Sequence, residues 1–280
     1  MTPEWADDAM SDIQGPQQQL ARIAQETPGD RLLPVIEAGK HADFVVLPRT
    51  RSVFALLAET GEARAPGIQL KATDAGEEIL VYDVIDPFWG ASSAAFAEAL
   101  GKVKGSSVTV RVNSPGGDVF EGRAMANQLR SFRGQTRVIV DGLAASAAST
   151  LAIAAQRTEM AAGSFMMVHR SWAFAVGNAA DLTELSALLS KIDQSIAADY
   201  AAKADVSAEE ALAWMEAETW FSASEAVDAG LADASIDIKA QLRAFNLSAF
   251  RNAPAALAAP ASVAQNDATD PDMTAQWTDN

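Results

Sequence analysis

Between residues 78 and 238, short β-branched runs alternate with segments whose apolar residues recur at helical spacing. The clearest helix is predicted to begin at Asp181 and end at Tyr200, because leucine and isoleucine repeat there every three or four positions, with Asp193 off the apolar stripe. Strands are predicted at 79–85, 107–113, 137–140 and 165–169, and shorter helices at 94–100 and 121–132. This alternation predicts an α/β domain.

The pattern divides the chain into three predicted parts. Residues 1–65 form an N-terminal segment to which no fold can be assigned, 66–245 form the α/β domain, and 246–280 form a flexible tail rich in Ala, Pro and Asp. No Lys or Arg follows Arg251. We expect the tail to be disordered, because it offers too little apolar surface to offset the entropy of ordering it.

Composition excludes several classes of function. The 280 residues carry a net charge of −16, which argues against a nucleic-acid-binding protein that relies on basic patches. There is no cysteine, so thiolate metal sites and cysteine nucleophiles are excluded, and the presence of only two histidines, His41 and His169, argues against a histidine-rich metal site. No apolar run approaches the length of a membrane span and the N-terminus has no secretory signal, so we expect a cytoplasmic protein without metal or membrane partners.

A double glycine follows the predicted strand at 107–113, in the run Asn-Ser-Pro-Gly-Gly-Asp. Gly116 and Gly117 would let backbone N–H groups approach a ligand closely, as an oxyanion or a phosphate requires. The run lacks the ending of a P-loop and the third glycine of a dinucleotide fingerprint. Taken alone, it also fits an ordinary turn.

Ser146 lies in a run of small residues, Gly-Leu-Ala-Ala-Ser-Ala-Ala-Ser, between a predicted strand and a run of helix formers. A serine at such a junction projects beside unpaired backbone N–H groups, which stabilise negative charge on a neighbouring oxygen. The alternative is that Ser146 merely caps the helix or fills a tight packing position.

His169 closes the predicted strand at 165–169. If a serine acts with an imidazole, His169 is the natural base, since the other histidine, His41, lies in the poorly patterned N-terminal segment. A solvent-facing histidine without a role is the alternative.

Together these runs resemble the ClpP serine peptidase family, and most closely its phage-type members, the head maturation (prohead) proteases. The resemblance covers residues 78–238 through NSPGGDV, GLAASAAS, MMVH and ETWFSASEAVDAGLAD. It implies a ClpP/crotonase-like spiral of βαβ units, with Ser146 as nucleophile and His169 as general base. The backbone N–H groups of Gly116, Gly117 and Ala147 would form the oxyanion hole, and neither metal nor other cofactor would be needed.

The third member of the triad is where the chain departs from that family. Housekeeping ClpP places an aspartate followed by threonine before the segment matched by 221–226, and the corresponding stretch here is shorter. Aligning the threonine assigns Glu218 to orient the imidazole, with Glu216 and Asp228 as alternatives.

The resemblance implies an endopeptidase that cleaves capsid or scaffold proteins during phage assembly, in the host cytoplasm or the prohead interior. It also implies a ring-shaped homo-oligomer joined through the helix at 181–200, and the charge of −16 suits basic partner segments. The alternatives are a housekeeping ClpP subunit serving an ATP-dependent unfoldase, and a non-catalytic capsid-assembly or scaffolding component. A Ser–Lys peptidase lacks a lysine in matching context, and a crotonase-type acyl-CoA enzyme needs no serine nucleophile.

Overall fold

The computed structural model describes residues 67–73, 76–88, 90–173, 175–239, 245, 247, 249–254 and 257. The segment 1–65, with His41, and the end of the predicted tail lie outside these described residues. The chain divides into two compact units, and the larger comprises 50–173 and 184–280. The sheet and all the site residues discussed below belong to this larger unit.

The described residues form eight strands and six helices. The strands are β1 (Ile68–Thr73), β2 (Gly76–Val81), β3 (Ser107–Ser114), β4 (Gln135–Ala145), β5 (Arg157–Ala162), β6 (Phe165–Val168), β7 (Thr219–Ser222) and β8 (Ala234–Lys239). The helices are α1 (Ser93–Gly101), α2 (Val119–Arg130), α3 (Ala147–Ala152), α4 (Ala179–Ala204), α5 (Ala208–Glu216) and α6 (Ala223–Asp228). The α/β prediction is confirmed, and β4 extends five residues beyond its predicted end at Val140.

The described strands form one sheet whose main path runs β1-β2-β3-β4-β5-β8. The pairs from β2 to β8 along this path are parallel, whereas β1 pairs antiparallel with β2. The long strand β4 pairs with β5 over 137–140 and then with β6 over 143–145, and β6 in turn pairs antiparallel with β7. The second half of β4 therefore pairs with β6 instead of β5.

The main core joins the sheet to the helices. Its fully buried side chains include Phe96 of α1, Met125 of α2, Leu151 of α3 and Met215 of α5. Buried residues recur on one face of the first two helices, as Phe96 and Ala99 do in α1 and Met125 and Leu129 in α2. This spacing is why the sequence pattern predicted helices at 94–100 and 121–132. The core fixes the helices against the sheet and so fixes the turns between them.

Helix α4 is only partly buried in the larger unit. Ile196 and Tyr200 are buried as the stripe predicts, whereas Leu185 and Leu189 of the same stripe are only partly buried. Asp193, which the periodicity places off the stripe, is also buried. Its burial is possible because the backbone N–H and the hydroxyl of Ser171 donate hydrogen bonds to this carboxylate.

The predicted boundary between domain and tail differs from the structure. Phe245, Leu247, Phe250 and Leu257 are buried in a second apolar cluster, together with Met167 and three other residues of the domain, namely Val84, Leu143 and Ala145. The tail was predicted because the sequence there turns to Ala, Pro, Asp and Thr and offers too little apolar surface to offset the entropy of ordering it. Leu247, Phe250 and Leu257 are nevertheless buried in this cluster, so the packed domain continues past residue 245.

A buried ion pair joins β3 and β4. Arg111 donates to Asp141 from Nε at 2.8 Å and also from its terminal nitrogen, and the Tyr82 hydroxyl donates to the same carboxylate. The side chain of Asp141 is 1% exposed and that of Arg111 17%. Burial and the hydrogen bond to Asp141 raise the pKa of Tyr82 to about 12.

None of the helices in the described ranges is long and apolar enough to cross a membrane.

We predict that Arg111→Leu destabilises the domain by about 3 kcal/mol, because it leaves the Asp141 carboxylate buried without its counter-charge. Urea unfolding followed by circular dichroism measures the change. The matched control is Lys102→Ala, which breaks an exposed ion pair with Glu98 and is expected to leave the unfolding midpoint unchanged. Equal midpoints for the two variants would contradict the prediction.

Candidate active site

Ser146 lies at the turn between β4 and α3 in a left-handed backbone conformation, with φ 54° and ψ −125°. It occupies the N-cap position of α3, but its side chain makes no capping hydrogen bond. A non-glycine residue in this region is strained, and such strain is concentrated at functional sites. A serine at a strained turn from a strand into a helix is also the arrangement of a nucleophile elbow.

Hydrogen bonds on both sides hold this strained turn. The Ser146 N–H donates to the Met167 carbonyl at 2.9 Å. On the other side, the Ser146 carbonyl accepts from the Ser149 N–H at 2.9 Å and from the Ser149 hydroxyl at 2.6 Å. The buried Tyr200 hydroxyl lies 2.6 Å from the Ser149 hydroxyl, which ties the turn to α4.

Sheet pairing brings the histidine to the serine. Strands β4 and β6 are parallel, with Ala145 opposite Met167, so their carboxyl ends meet at one edge. Ser146 follows the first strand and His169 follows the second. His169 Nε2 lies 2.8 Å from Ser146 Oγ, which is a hydrogen bond.

The double glycine lies against the same turn. Gly116 and Gly117 have φ of +88° and +146°, and a Cβ on Gly116 would lie 2.4 Å from the Ala145 carbonyl oxygen and 2.7 Å from Ser146 Cβ. Gly116 is therefore required both by its backbone conformation and by this close approach. Its N–H donates to the Ser114 hydroxyl at 3.1 Å.

Two further residues next to the turn, Ala147 and Gly117, have N–H groups outside the regular backbone pairing. Ala147 is the first residue of α3, so its N–H has no acceptor within the helix. The bridge between Ile85 and Gly117 is made by the Gly116 carbonyl and the Asp118 N–H, so it does not use the Gly117 N–H. The three amides predicted for an oxyanion hole thus lie on the two loops that meet at Ser146.

Glu218 is buried and has a positive φ of 50° between α5 and β7. Its carboxylate accepts hydrogen bonds from the backbone N–H of Arg251 at 3.0 Å, the backbone N–H of Asn252 at 2.7 Å and the Trp220 indole at 3.4 Å. Within the described residues, no hydrogen bond joins it to the imidazole. The alternatives, Glu216 and Asp228, are not buried.

Asp193 is a site residue that the sequence analysis missed. It accepts from the Ser171 N–H at 2.7 Å and the Ser171 hydroxyl at 2.6 Å, and it lies 3.5 Å from Arg170 Nε. These partners directly follow His169, so a carboxylate on α4 anchors the chain that leaves the histidine. A charged residue next to a helix stripe carries no signal of such a contact in the sequence.

Burial lowers the pKa of His169 from the usual 6.5 to about 4. The negative charges of Glu218 and Asp193 oppose this shift, and the positive charge of Arg251 adds to it. The imidazole is therefore neutral at physiological pH and can accept a proton from Ser146.

No group of three or more His, Asp or Glu side chains able to hold a metal ion occurs among the described residues.

The imidazole environment leads to a prediction that needs no assay of function. In a His41→Gln variant, His169 is the sole histidine, and its NMR titration is expected to give a pKa of about 4. The unfolded chain binds this proton with a pKa near 6.5, whereas the folded chain binds it only near 4. The free energy of unfolding is therefore highest above pH 6.5 and falls as the pH drops toward 4. A titration midpoint near 6.5 would contradict the desolvation of the ring.

Comparison with known proteins identifies relatives of this domain. A 131-residue stretch is 27% identical to the ATP-dependent Clp protease proteolytic subunit of Bacteroides fragilis, covering 46% of this chain and 63% of the relative. For the subunit of the same name from Deinococcus radiodurans, the identity is 30% over 132 residues, covering 46% and 65%. The chain thus spans somewhat less than two thirds of the length of these relatives.

A solved structure and a family model agree with this result. A point mutant of ClpP1 from Listeria monocytogenes superposes with a TM-score of 0.51 at 20% identity, covering 57% of this chain and 91% of that one, which supports the fold. The Clp protease family model matches residues 95–239, more than half of the chain. The matched range contains Ser146, His169 and Glu218, and on this evidence the chain belongs to the Clp protease family.

Proposed function

We propose that this chain is a serine endopeptidase in which Ser146 is the nucleophile and His169 the general base. The observation that carries the proposal is the 2.8 Å hydrogen bond between Ser146 Oγ and His169 Nε2, made at a strained strand-to-helix turn. If Ser146 were only a helix cap, its hydroxyl would accept a hydrogen bond from a backbone N–H of α3, and no such bond is present.

The proposed reaction begins when His169 Nε2 takes the proton of Ser146 as Oγ attacks the carbonyl carbon of a peptide bond. The resulting imidazolium then protonates the leaving amine, the C–N bond breaks, and an acyl-enzyme remains on Ser146. Water then gives a proton to the same imidazole and attacks the ester carbonyl carbon. The ester C–O bond breaks, the imidazolium returns its proton to Ser146 Oγ, and the second product is released. A neutral imidazole, which burial favours, is the form that this cycle needs.

The oxyanion of the tetrahedral intermediate is stabilised by backbone N–H groups next to the nucleophile. The N–H groups of Ala147 and Gly117 support this role, since neither is used in the backbone pairing described above. The Gly116 N–H would exchange its present acceptor, the Ser114 hydroxyl, for the oxyanion.

Glu218 is proposed as the carboxylate that stabilises the imidazolium. Its charge acts on His169 through space, and its own three hydrogen bonds keep it oriented. Asp193 adds a second negative charge and fixes the residues that follow His169. The stabilising charge is in this proposal shared between two carboxylates instead of being supplied by one hydrogen-bonded acid.

For the substrate we propose capsid or scaffold proteins of a phage, cleaved by a ring of subunits joined through α4 in the host cytoplasm or prohead interior. The support is the resemblance of the sequence motifs and the net charge of −16, which suits basic protein segments. The second candidate is a proteolytic subunit that works with an ATP-dependent partner. It is favoured by the names of the relatives from Bacteroides fragilis and Deinococcus radiodurans.

We predict that Ser146→Ala and His169→Ala each reduce hydrolysis by about 10³-fold or more, because the nucleophile and base act as one unit. Hydrolysis of a fluorogenic peptide and labelling by a fluorophosphonate probe, read by intact mass, measure the effect. The matched control is His41→Ala, which is expected to keep wild-type rates. Labelling of Ser146→Ala, or loss of activity in folded His41→Ala, would overturn the assignment.

Co-expression separates the two substrate candidates. The wild type and Ser146→Ala are each expressed with a phage capsid protein, and the purified wild type is assayed with and without ATP and an unfoldase. Processing of the capsid protein by the wild type alone, without nucleotide, supports the maturation role. Cleavage of folded proteins only with the unfoldase and ATP supports the second candidate and overturns the first.

A methyl group at Gly116 is expected to obstruct the proposed oxyanion site. Gly116→Ala should lower fluorophosphonate labelling by about 10²-fold or more, because its Cβ would displace the Ser146 turn. Gly76→Ala is the matched control, since Gly76 also has a positive φ but its Cβ would meet nothing within 4 Å. Equal loss in the two variants would assign the effect to backbone strain and contradict the prediction.

A further inference from the structure

The second apolar cluster places a segment from outside the family match beside the site. The family model ends at residue 239, whereas Phe245, Leu247, Phe250 and Leu257 lie beyond it and are buried. We call the described residues from 245 to 257 the C-terminal segment. Their cluster includes Met167 and Ala145, which are paired residues of β6 and β4 just before the site.

Phe250 contacts the histidine directly. Its ring meets the His169 imidazole edge to face, with centroids 5.4 Å apart and planes at 84°. It also packs against Trp220 at 5.8 Å, and only 6% of Phe250 is exposed. An apolar ring in this position excludes water from one side of the imidazole and restricts its rotation.

The next two residues hold the carboxylate. The backbone N–H of Arg251 donates to Glu218 Oε2 at 3.0 Å and that of Asn252 to Oε1 at 2.7 Å. The Asn252 side chain donates to the Ala217 carbonyl at 2.8 Å, which ties the segment to the residue before Glu218. Three consecutive residues, 250–252, thus contact both the imidazole and the carboxylate.

We propose that residues 250–252 of the C-terminal segment form a positioning element of the active site, in which Phe250 fixes the imidazole of His169 and the amides of Arg251 and Asn252 fix the carboxylate of Glu218. This inference rests on the proposed peptidase function. It assigns a role in the reaction to residues that the family model does not include.

The position of the segment explains why both groups need it. Glu218 is buried, and a buried carboxylate is stable only when donors satisfy it; two of its three donors come from this segment. The charged groups that act on His169 are Glu218, Asp193 and Arg251, and the last of these belongs to the segment. Loss of the segment would therefore hydrate the imidazole and release the carboxylate together.

The first test compares Phe250→Ala with Leu257→Ala in the full chain. Both remove a buried apolar side chain of one cluster, but the ring contact with His169 belongs to Phe250. In Phe250→Ala, the acid limb of kcat/KM is expected to move up toward pH 6.5 and kcat to fall at least about tenfold, with little change in KM. In Leu257→Ala, the acid limb should stay at the wild-type pH.

The NMR titration of His169 in a His41→Gln background gives a second readout that requires no activity. A higher His169 pKa in Phe250→Ala than in Leu257→Ala supports the inference. An unchanged pKa in folded Phe250→Ala, or equal shifts in both variants, overturns it. If the wild type neither labels at Ser146 nor cleaves peptides, the proposed function fails, and the titration still reports on the ring contact.

The second test addresses the amides. Asn252→Pro removes the N–H that donates to Glu218, whereas Asn252→Ala removes only the side-chain bond to Ala217. We expect kcat to fall about tenfold more in the proline variant than in the alanine variant, and Glu218→Gln to lower kcat in the same direction. Equal kcat values for folded Asn252→Pro and Asn252→Ala would overturn the role of the amide.

Discussion

The left-handed backbone of Ser146 is the constraint on which the geometry of the site depends. This conformation costs a non-glycine residue of the order of 1–3 kcal/mol and persists only where its surroundings determine it. Here the N–H is held by β6 and the carbonyl by Ser149, while Gly116 allows the neighbouring loop to approach without a side chain. The same bonds that stabilise the strained turn also direct the hydroxyl toward His169.

The turn is possible because β4 changes its neighbour partway along its length. Pairing with β5 ends at Val140 and pairing with β6 begins at Leu143, and the register of β3 on β4 shifts over the same stretch. Asp141 lies within this changeover, where its ion pair with Arg111 holds β3 and β4 together. The buried Arg111–Asp141 pair therefore helps to fix the part of β4 that leads to Ser146.

Sequence reasoning located the parts of this site that depend on local pattern. The strand and helix periods predicted the elements around Ser146 and His169, and motif context selected these two residues, which the structure brings within hydrogen-bond distance. The split pairing of β4 is non-local, so no window of the sequence contains it. Asp193 was missed because helical periodicity identifies buried apolar residues and not a buried carboxylate whose partners come from another segment.

Glu218 shows how a local irregularity and a distant segment depend on each other. It follows the C-cap of α5 with a positive φ, a position where glycine or asparagine is usual, so its side chain is placed there at a cost in backbone strain. The carboxylate is buried there, and burial would raise its energy unless hydrogen-bond donors met it. Those donors are the amides of residues 251 and 252, in a stretch that composition alone assigned to a tail. Because the carboxylate needs the amides and the amides are placed by Phe250 and Leu247 in the apolar cluster, the domain boundary and the active site are set by the same few buried side chains.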